Sequence, residues 1–213
     1  MPIPKIIHQT YKDGNNMPEL YKSCQETVKS LHPGFSYRFY TDEDIRRFIK
    51  IEYPEHYHQF QRLPRMIMKI DMFRYFLMYH FGGIYIDMDY KMFRSFDLLS
   101  KSVVLPANRD SGSLGNCIFA SEPGHPFWKE VLDAFLATDY SKNCNDENVI
   151  KSTGPGFLSS VYQKSLYKKE IFIPQRKFFH PVVPAGKDKQ LQLQCKNIYG
   201  MHLCAGVWRN NQL

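Results

Sequence analysis

The order of elements along these 213 residues predicts an α/β fold with a mostly parallel sheet. Short β-rich runs alternate with helical patterns from end to end, and Gly82-Gly83 joins the clearest helix directly to the clearest strand. No internal repeat, low-complexity tract or linker-like stretch divides the chain, so residues 1–213 read as a single domain.

The elements follow in order. Residues 5–9 are a β-rich opening run. A turn-rich stretch over 11–17, with Asp13-Gly14-Asn15-Asn16, leads to a helix over 18–31 that His32-Pro33-Gly34 ends. Residues 36–40 alternate Tyr37 and Phe39 as a strand does, and Thr41-Asp42 offers a cap to a helix over 43–51. From 64 to 81, Ile67, Ile70, Phe73, Arg74, Leu77 and Phe81 recur at helical spacing, and the glycine pair follows where a left-handed C-cap is wanted. Residues 84–89 continue as a strand. Strands over 102–105, 117–120 and 171–174, helices over 126–137 and 154–167, and a last short strand over 198–203 complete the pattern. Residues 53–63, 108–114 and 140–152 read as loops. A mostly parallel sheet binds ligands at the carboxyl ends of its strands.

Composition excludes whole classes. With 43% hydrophobic and 15% aromatic residues the chain is not intrinsically disordered, and no run reaches the ~20 apolar residues of a membrane span. No secretion signal opens it. The 28 basic residues against 21 acidic give +7, concentrated toward the C-terminus, where eight Lys/Arg fall between 164 and 196. Such a segment attracts phosphates, nucleic acid or anionic surfaces, or is only a solvated face. Five scattered cysteines, an odd number without a Cys-x-x-Cys pair, suggest neither disulfides nor structural zinc and point to a reducing compartment.

Two carboxylates, Asp87 and Asp89, close the strand after the glycines. Residues two apart on a strand share a face, and like charges side by side call for a divalent cation, Mn²⁺ or Mg²⁺. Asp71 and Arg74, three apart on the preceding helix, place an acceptor and a bidentate donor on one face, as recognition of sugar hydroxyls requires. The bland alternatives are a polar strand exit and an intrahelical ion pair, the latter costly on so apolar a face.

The run Asp71-x-x-Arg74-Tyr75, then Gly82-Gly83-Ile84-Tyr85-Ile86-Asp87-x-Asp89, resembles the sugar-binding region of DxD-containing glycosyltransferases of family 32. It is similar, more distantly, to the clostridial glucosylating toxins. The opening Ile3 to Gln9, Asn116 with Gly124-His125-Pro126-Phe127, Thr153-Gly154-Pro155, and His202 with Gly206 and Trp208 extend the resemblance over nearly the whole chain. It implies a GT-A fold, Rossmann-like, with a nucleotide-sugar in the cleft. It implies that His8, Gln9, Thr10 and Tyr11 lie near the nucleotide, although for His8 taken alone a strand-end histidine satisfied by its neighbours is the favoured account. Asp71, Arg74 and Asn116 would contact the donor sugar. Asp87, Asp89 and His202 would hold the metal, with Asp87 shared with the nucleotide, and Trp208 would reach the β-phosphate.

The implied activity is metal-dependent, retaining transfer of a hexose from a UDP- or GDP-sugar to a hydroxyl of a glycan acceptor. No dedicated base is needed if the departing phosphate takes the acceptor proton. No nucleic acid is expected; peripheral membrane contact is compatible with the basic segment. The rival enzyme is a phosphoryl-transfer enzyme or nuclease using Asp87 and Asp89 with the basic face on a polynucleotide, against which stands the lack of further acidic ligands. The scattered cysteines favour a cytoplasmic chain of bacterial or viral source over an excised Golgi-lumen domain.

Overall fold

The computed structural model describes residues 1–108, 113–140, 145–182 and 197–205. Its elements run β1 (Ile6–Thr10), α1 (Glu19–Leu31), β2 (Ser36–Tyr40), α2 (Asp42–Glu52), α3 (Pro54–Arg62), α4 (Met66–His80), β3 (Gly83–Ile86), β4 (Tyr90–Met92), β5 (Val103–Val104), β6 (Ile118–Ser121), α5 (Pro126–Leu136), α6 (Asp146–Ser152), α7 (Pro155–Lys164), β7 (Ile171–Phe172), α8 (Arg176–Phe179) and β8 (Gly200–His202). Six strands form one sheet in the order β2-β1-β3-β6-β5-β7, and β4 pairs with β8 in a separate ribbon. The pairings β1–β2, β1–β3 and β5–β7 are parallel, while β6 runs antiparallel to both its neighbours. The predicted mostly parallel α/β sheet is therefore present as a mixed sheet.

Strand alternation builds the two faces. On β3, Tyr85 enters the larger core with Met72, Phe73, Phe76, Phe119 and Trp128, whereas Ile84 and Ile86 enter the opposite core with Ile7, Val28 and Phe179. Helix α4 is buried from Asp71 through Met78, so it is a central helix covered on all sides rather than one with a single apolar face. Two left-handed glycines reverse the chain after it: Gly82 has φ 61° and Gly83 φ 88°. A Cβ on Gly83 would stand 2.6 Å from the Ile6 carbonyl oxygen, so only glycine permits this turn against β1. At α2, Thr41 Oγ accepts from the Asp44 N–H while the Asp44 carboxylate accepts from the Thr41 N–H, a reciprocal capping box.

Three readings are corrected. Residues 53–63 are not a loop: Pro54 starts α3, Phe60 buries itself in the core, and Gln59 Nε2 donates to the Leu136 carbonyl at 2.8 Å. Within 140–152, α6 takes the second half, capped by the Asn145 side chain. The strand over 84–89 ends at Ile86. Asp87-Met88-Asp89 is a turn closed by the Tyr90 N–H donating to the Asp87 carbonyl (3.1 Å), after which the chain re-enters extended structure as β4. The carboxylates therefore do not share a face through strand alternation.

Candidate active site

Strand order reverses direction about β1, with β2 on one side and β3 on the other, and a cavity of about 330 Å³ opens beyond their carboxyl ends. Thr10, Tyr11, Asp71, Arg74, Asp87, Asp89, Asn116 and His202 all line it.

The floor is a network around one guanidinium. Arg74, 3% exposed, donates to the Asn116 carbonyl at 2.6 Å, lies 3.5 Å from both Asp71 Oδ1 and Asp87 Oδ1, and stacks over the Tyr85 ring. Its Nε has no partner among the described residues. Asp71 accepts from Asn116 Nδ2 (3.0 Å) and from the Thr153 hydroxyl (2.7 Å). One cation thus serves two buried carboxylates. Burial pushes Asp71 up to about 6, against the pull of Arg74 and Thr153, and raises Asp87 as well against the same guanidinium. Burial also opposes the charge on Arg74, yet Asp87 and its other neighbours raise its pKa and keep it protonated. Tyr85 donates to Asp87 Oδ1 at 2.9 Å and shares a hydrogen bond with Thr10.

The metal-capable groups stand at the other edge. His202 Nε2 is 2.9 Å from Asp89 Oδ1 and 4.0 Å from Asp87 Oδ2, and the Ala205 N–H donates to Asp89 Oδ2 at 2.9 Å. Burial would raise Asp89, but His202 and the Ala205 N–H outweigh it and hold this carboxyl below the usual range. Burial disfavours a charged His202, but Cys117 and Asp89 beside it raise its pKa. Ligand atoms of Asp87, Cys117 and His202 lie within 4.8 Å of one another. Carboxylate oxygens with an imidazole nitrogen, facing a cavity with room for phosphate oxygens, fit a hard divalent cation such as Mn²⁺ or Mg²⁺. Among the described residues the groups that could hold a metal form one cluster, Asp87, Cys117 and His202.

Two expected nucleotide contacts do not reach the cavity. His8 is fully buried between a ring nitrogen contact to the Tyr40 hydroxyl (3.0 Å) and one to the Gly82 carbonyl (2.9 Å), stacked on Phe81; burial lowers its pKa to about 3. Alternation on β1 turns it into the helix-to-strand turn. Gln9, also buried, accepts from the Tyr37 hydroxyl and donates to the Asp87 carbonyl at 3.3 Å, so it props the carboxylate turn from behind. Trp208 and Gly206 lie outside the described residues.

Sequence reasoning gave no role to Thr153 beside Asp71, to Tyr85, or to Cys117 behind His202. Tyr85 carried a signal in its two-residue offset from Asp87, and Thr153 only as the start of the Thr153-Gly154-Pro155 segment of the resemblance. It also missed an apolar cavity wall of Met66, Ile67, Ile70, Val149 and Ile150.

Comparison with known proteins agrees with this geometry. Residues 18–105 match the family model described as the glycosyltransferase sugar-binding region containing a DXD motif. Mannosyl phosphorylinositol ceramide synthase SUR1 of Saccharomyces cerevisiae is 38% identical over 78% of this chain and 43% of its own length. Inositol phosphoceramide mannosyltransferase 3 of Schizosaccharomyces pombe is 33% identical over 84% of the chain and 49% of its length. The chain spans about half the length of these relatives. In fold it is similar to the PaToxG glycosyltransferase (TM-score 0.57, 19% identity, covering 79% of this chain and 69% of that one) and to the UDP-bound glycosyltransferase domain of the YGT toxin (0.62, 8%, 82% and 79%). The fungal relatives overturn the expectation of a bacterial or viral, cytoplasmic chain. Scattered cysteines report which bonds do not form and carry no address; Cys24 and Cys117 are simply buried. No helix of the described residues is long and apolar enough to cross a membrane. By motif, relatives and fold together, the chain resembles the DXD-containing glycosyltransferases over residues 18–105 and shares the GT-A α/β fold of solved glycosyltransferase domains.

Proposed function

We propose that this domain transfers a mannosyl residue from a nucleoside-diphosphate sugar to a hydroxyl of a glycan or glycolipid head group, with a divalent cation and with retention at the anomeric carbon. The observation that carries the reading is the single cavity in which Asp87, Asp89 and His202 face Asp71, Arg74 and Asn116. The first group suits a cation and diphosphate, the second a ring of hydroxyls. Mannose is supported by the relatives, which are named mannosyltransferases. Those names also specify inositol phosphoceramide, and the apolar wall of Met66, Ile67, Ile70 and Ile150 suits an acceptor with a lipid portion.

Asp87, Asp89 and His202 would hold the cation, which would supply Lewis-acid stabilisation to the departing diphosphate. Arg74 lines the cavity and would donate to sugar hydroxyls while fixing Asp87 by charge. Asp71 is poorly placed as a nucleophile: it is 2% exposed and both its oxygens are engaged by Asn116 and Thr153. That favours front-face substitution, in which the leaving phosphate oxygen takes the acceptor proton, over a covalent glycosyl-enzyme.

The test is incubation with Mn²⁺, a panel of nucleotide sugars and inositol phosphoceramide, reading product mass. A gain of one hexose from a mannosyl donor is expected. No transfer, and no metal-dependent donor hydrolysis with any sugar, overturns the reading.

A further inference from the structure

The thiol of Cys117 has no part in the chemistry above. This residue, immediately before β6, is 5% exposed and lines the cavity. Its carbonyl accepts the Asp87 N–H at 2.7 Å, so a backbone hydrogen bond ties Cys117 to the carboxylate turn. The ribbon of β4 and β8 brings His202 to the same place, and one ligand atom each of Asp87, Cys117 and His202 lies within 4.8 Å of the other two. The three side chains come from separate segments, so no short spacing such as Cys-x-x-Cys marks them in the sequence.

We infer that Asp87, Cys117 and His202 form a sulfur-containing site for Zn²⁺ or another thiophilic divalent ion, and that its occupation excludes a hard cation held by Asp87, Asp89 and His202. The exclusion rests on the hard-cation reading of the proposed function; the zinc site does not. Zinc accepts a thiolate, an imidazole nitrogen and a carboxylate oxygen together, whereas Mn²⁺ and Mg²⁺ favour oxygen. With Zn–S about 2.3 Å and Zn–N and Zn–O about 2.0–2.1 Å, tetrahedral ligand atoms stand roughly 3.3–3.6 Å apart. No pair among the three therefore has to close by more than about 1.5 Å. On binding, the Cys117 thiol gives its proton to solvent, and three protein ligands beside a cavity leave the fourth position to water. The two ligand sets differ in one member each. Asp89, fixed by the Ala205 N–H at 2.9 Å, belongs to the hard cation, and Cys117 belongs to zinc. Because both sets need Asp87 and His202, one ion displaces the other.

Titration of the full, reduced chain with Co²⁺ tests this, because a thiolate bound to Co²⁺ gives a near-ultraviolet charge-transfer band. The wild type is expected to show the band, to lose it when Zn²⁺ displaces Co²⁺, and to keep it in Cys204→Ser, whose thiol lies 3.3 Å from His202 Nδ1. Cys117→Ser is expected to lose the band and to bind Co²⁺ at least about tenfold more weakly, since loss of a hydrogen bond supporting a ligand already costs that much. In electron paramagnetic resonance, Zn²⁺ is expected to release bound Mn²⁺ from the wild type, and release from Cys117→Ser to need at least about tenfold more Zn²⁺. A wild type without the thiolate band overturns the inference. So does a band that survives in Cys117→Ser or vanishes in Cys204→Ser, and so does simultaneous binding of Zn²⁺ and Mn²⁺. If Cys117→Ser does not fold, His202→Gln, at a partly exposed position, decides: Co²⁺ binding weakened at least about tenfold supports the site, and unchanged binding overturns it. Absence of any Mn²⁺ binding beside a band that depends on Cys117 removes the hard-cation reading and leaves the zinc site standing.

Discussion

Replacing Arg74 by methionine removes the cation that lies between Asp71 and Asp87 and keeps most of the side chain's volume. The guanidinium is 3% exposed and its two carboxylate contacts are both 3.5 Å, so the variant leaves buried acids without compensation. Breaking a buried pair from one side costs about 3–5 kcal/mol, and the lost hydrogen bond to the Asn116 carbonyl adds to it. Against a total of roughly 5–15 kcal/mol for a domain, this is a large share. The pH dependence gives the test its sign. Asp71 is already raised to about 6 with Arg74 in place, and without it both acids rise further. A folded-state pKa above the unfolded value means that the folded variant binds the extra proton, so its stability recovers as pH falls through the folded pKa. Urea denaturation of variant and wild type at about pH 8 and about pH 5 is therefore expected to show a gap of several kcal/mol that narrows on acidification. Adding Asp71→Asn should recover part of the loss at the higher pH. A gap below about 1 kcal/mol, or one that stays constant or widens in acid, refutes the account of one cation serving two carboxylates.

Other perturbations probe the rest of the site and its support. Asp89→Asn is expected to abolish metal-dependent nucleotide binding in calorimetry while the circular dichroism spectrum is retained; binding that persists places the cation elsewhere. His8 is buried neutral with its pKa lowered to about 3, so its stabilisation is complete above about 6.5 and is lost toward pH 3 at roughly 1.4 kcal/mol per unit. His8→Gln should flatten that acid limb, and an unchanged slope between about pH 6 and about pH 4 argues that another group controls it. Gly83→Ala forces a Cβ to 2.6 Å from the Ile6 carbonyl at a φ of 88°, and a loss of at least about 2 kcal/mol is expected in the same denaturation assay.

The α/β alternation and the Gly82-Gly83 reversal were legible because they are local: hydrophobic spacing and left-handed turns need no knowledge of the rest of the chain. The convergence of Asp71, Arg74, Asp87 and Asp89 was approached for a partly mistaken reason. Strand geometry does not align the two carboxylates; a turn does, and its orientation depends on Gln9 behind Asp87 and on His202 and Ala205 in front of Asp89. His8 looked like a cavity residue by its place at a strand end, but one step of strand alternation turns it into the protein. Thr153 meets Asp71 across 82 residues of chain, a contact for which no periodicity gives notice. Helix α3 was hidden because Tyr53-Pro54 reads equally as a turn and as a first helical residue. The antiparallel β6 shows in no local pattern, since a buried four-residue strand reads the same in either direction.

The β4–β8 ribbon has a thermodynamic consequence. Its register sets Tyr90 opposite His202, which brings the imidazole to Asp89 across 113 residues of sequence. A cation held by both side chains would close a loop of that length without a covalent bond, since no unfolded chain offers the same pair of ligands together. Cation and C-terminal strand then stabilise one another through linkage: raising the free cation above its dissociation constant favours the paired ribbon by RT ln(1 + [L]/Kd). Equally, any change that loosens Gly200–His202 is felt as weaker ion affinity. An ion held there would double as a reversible clasp on the fold.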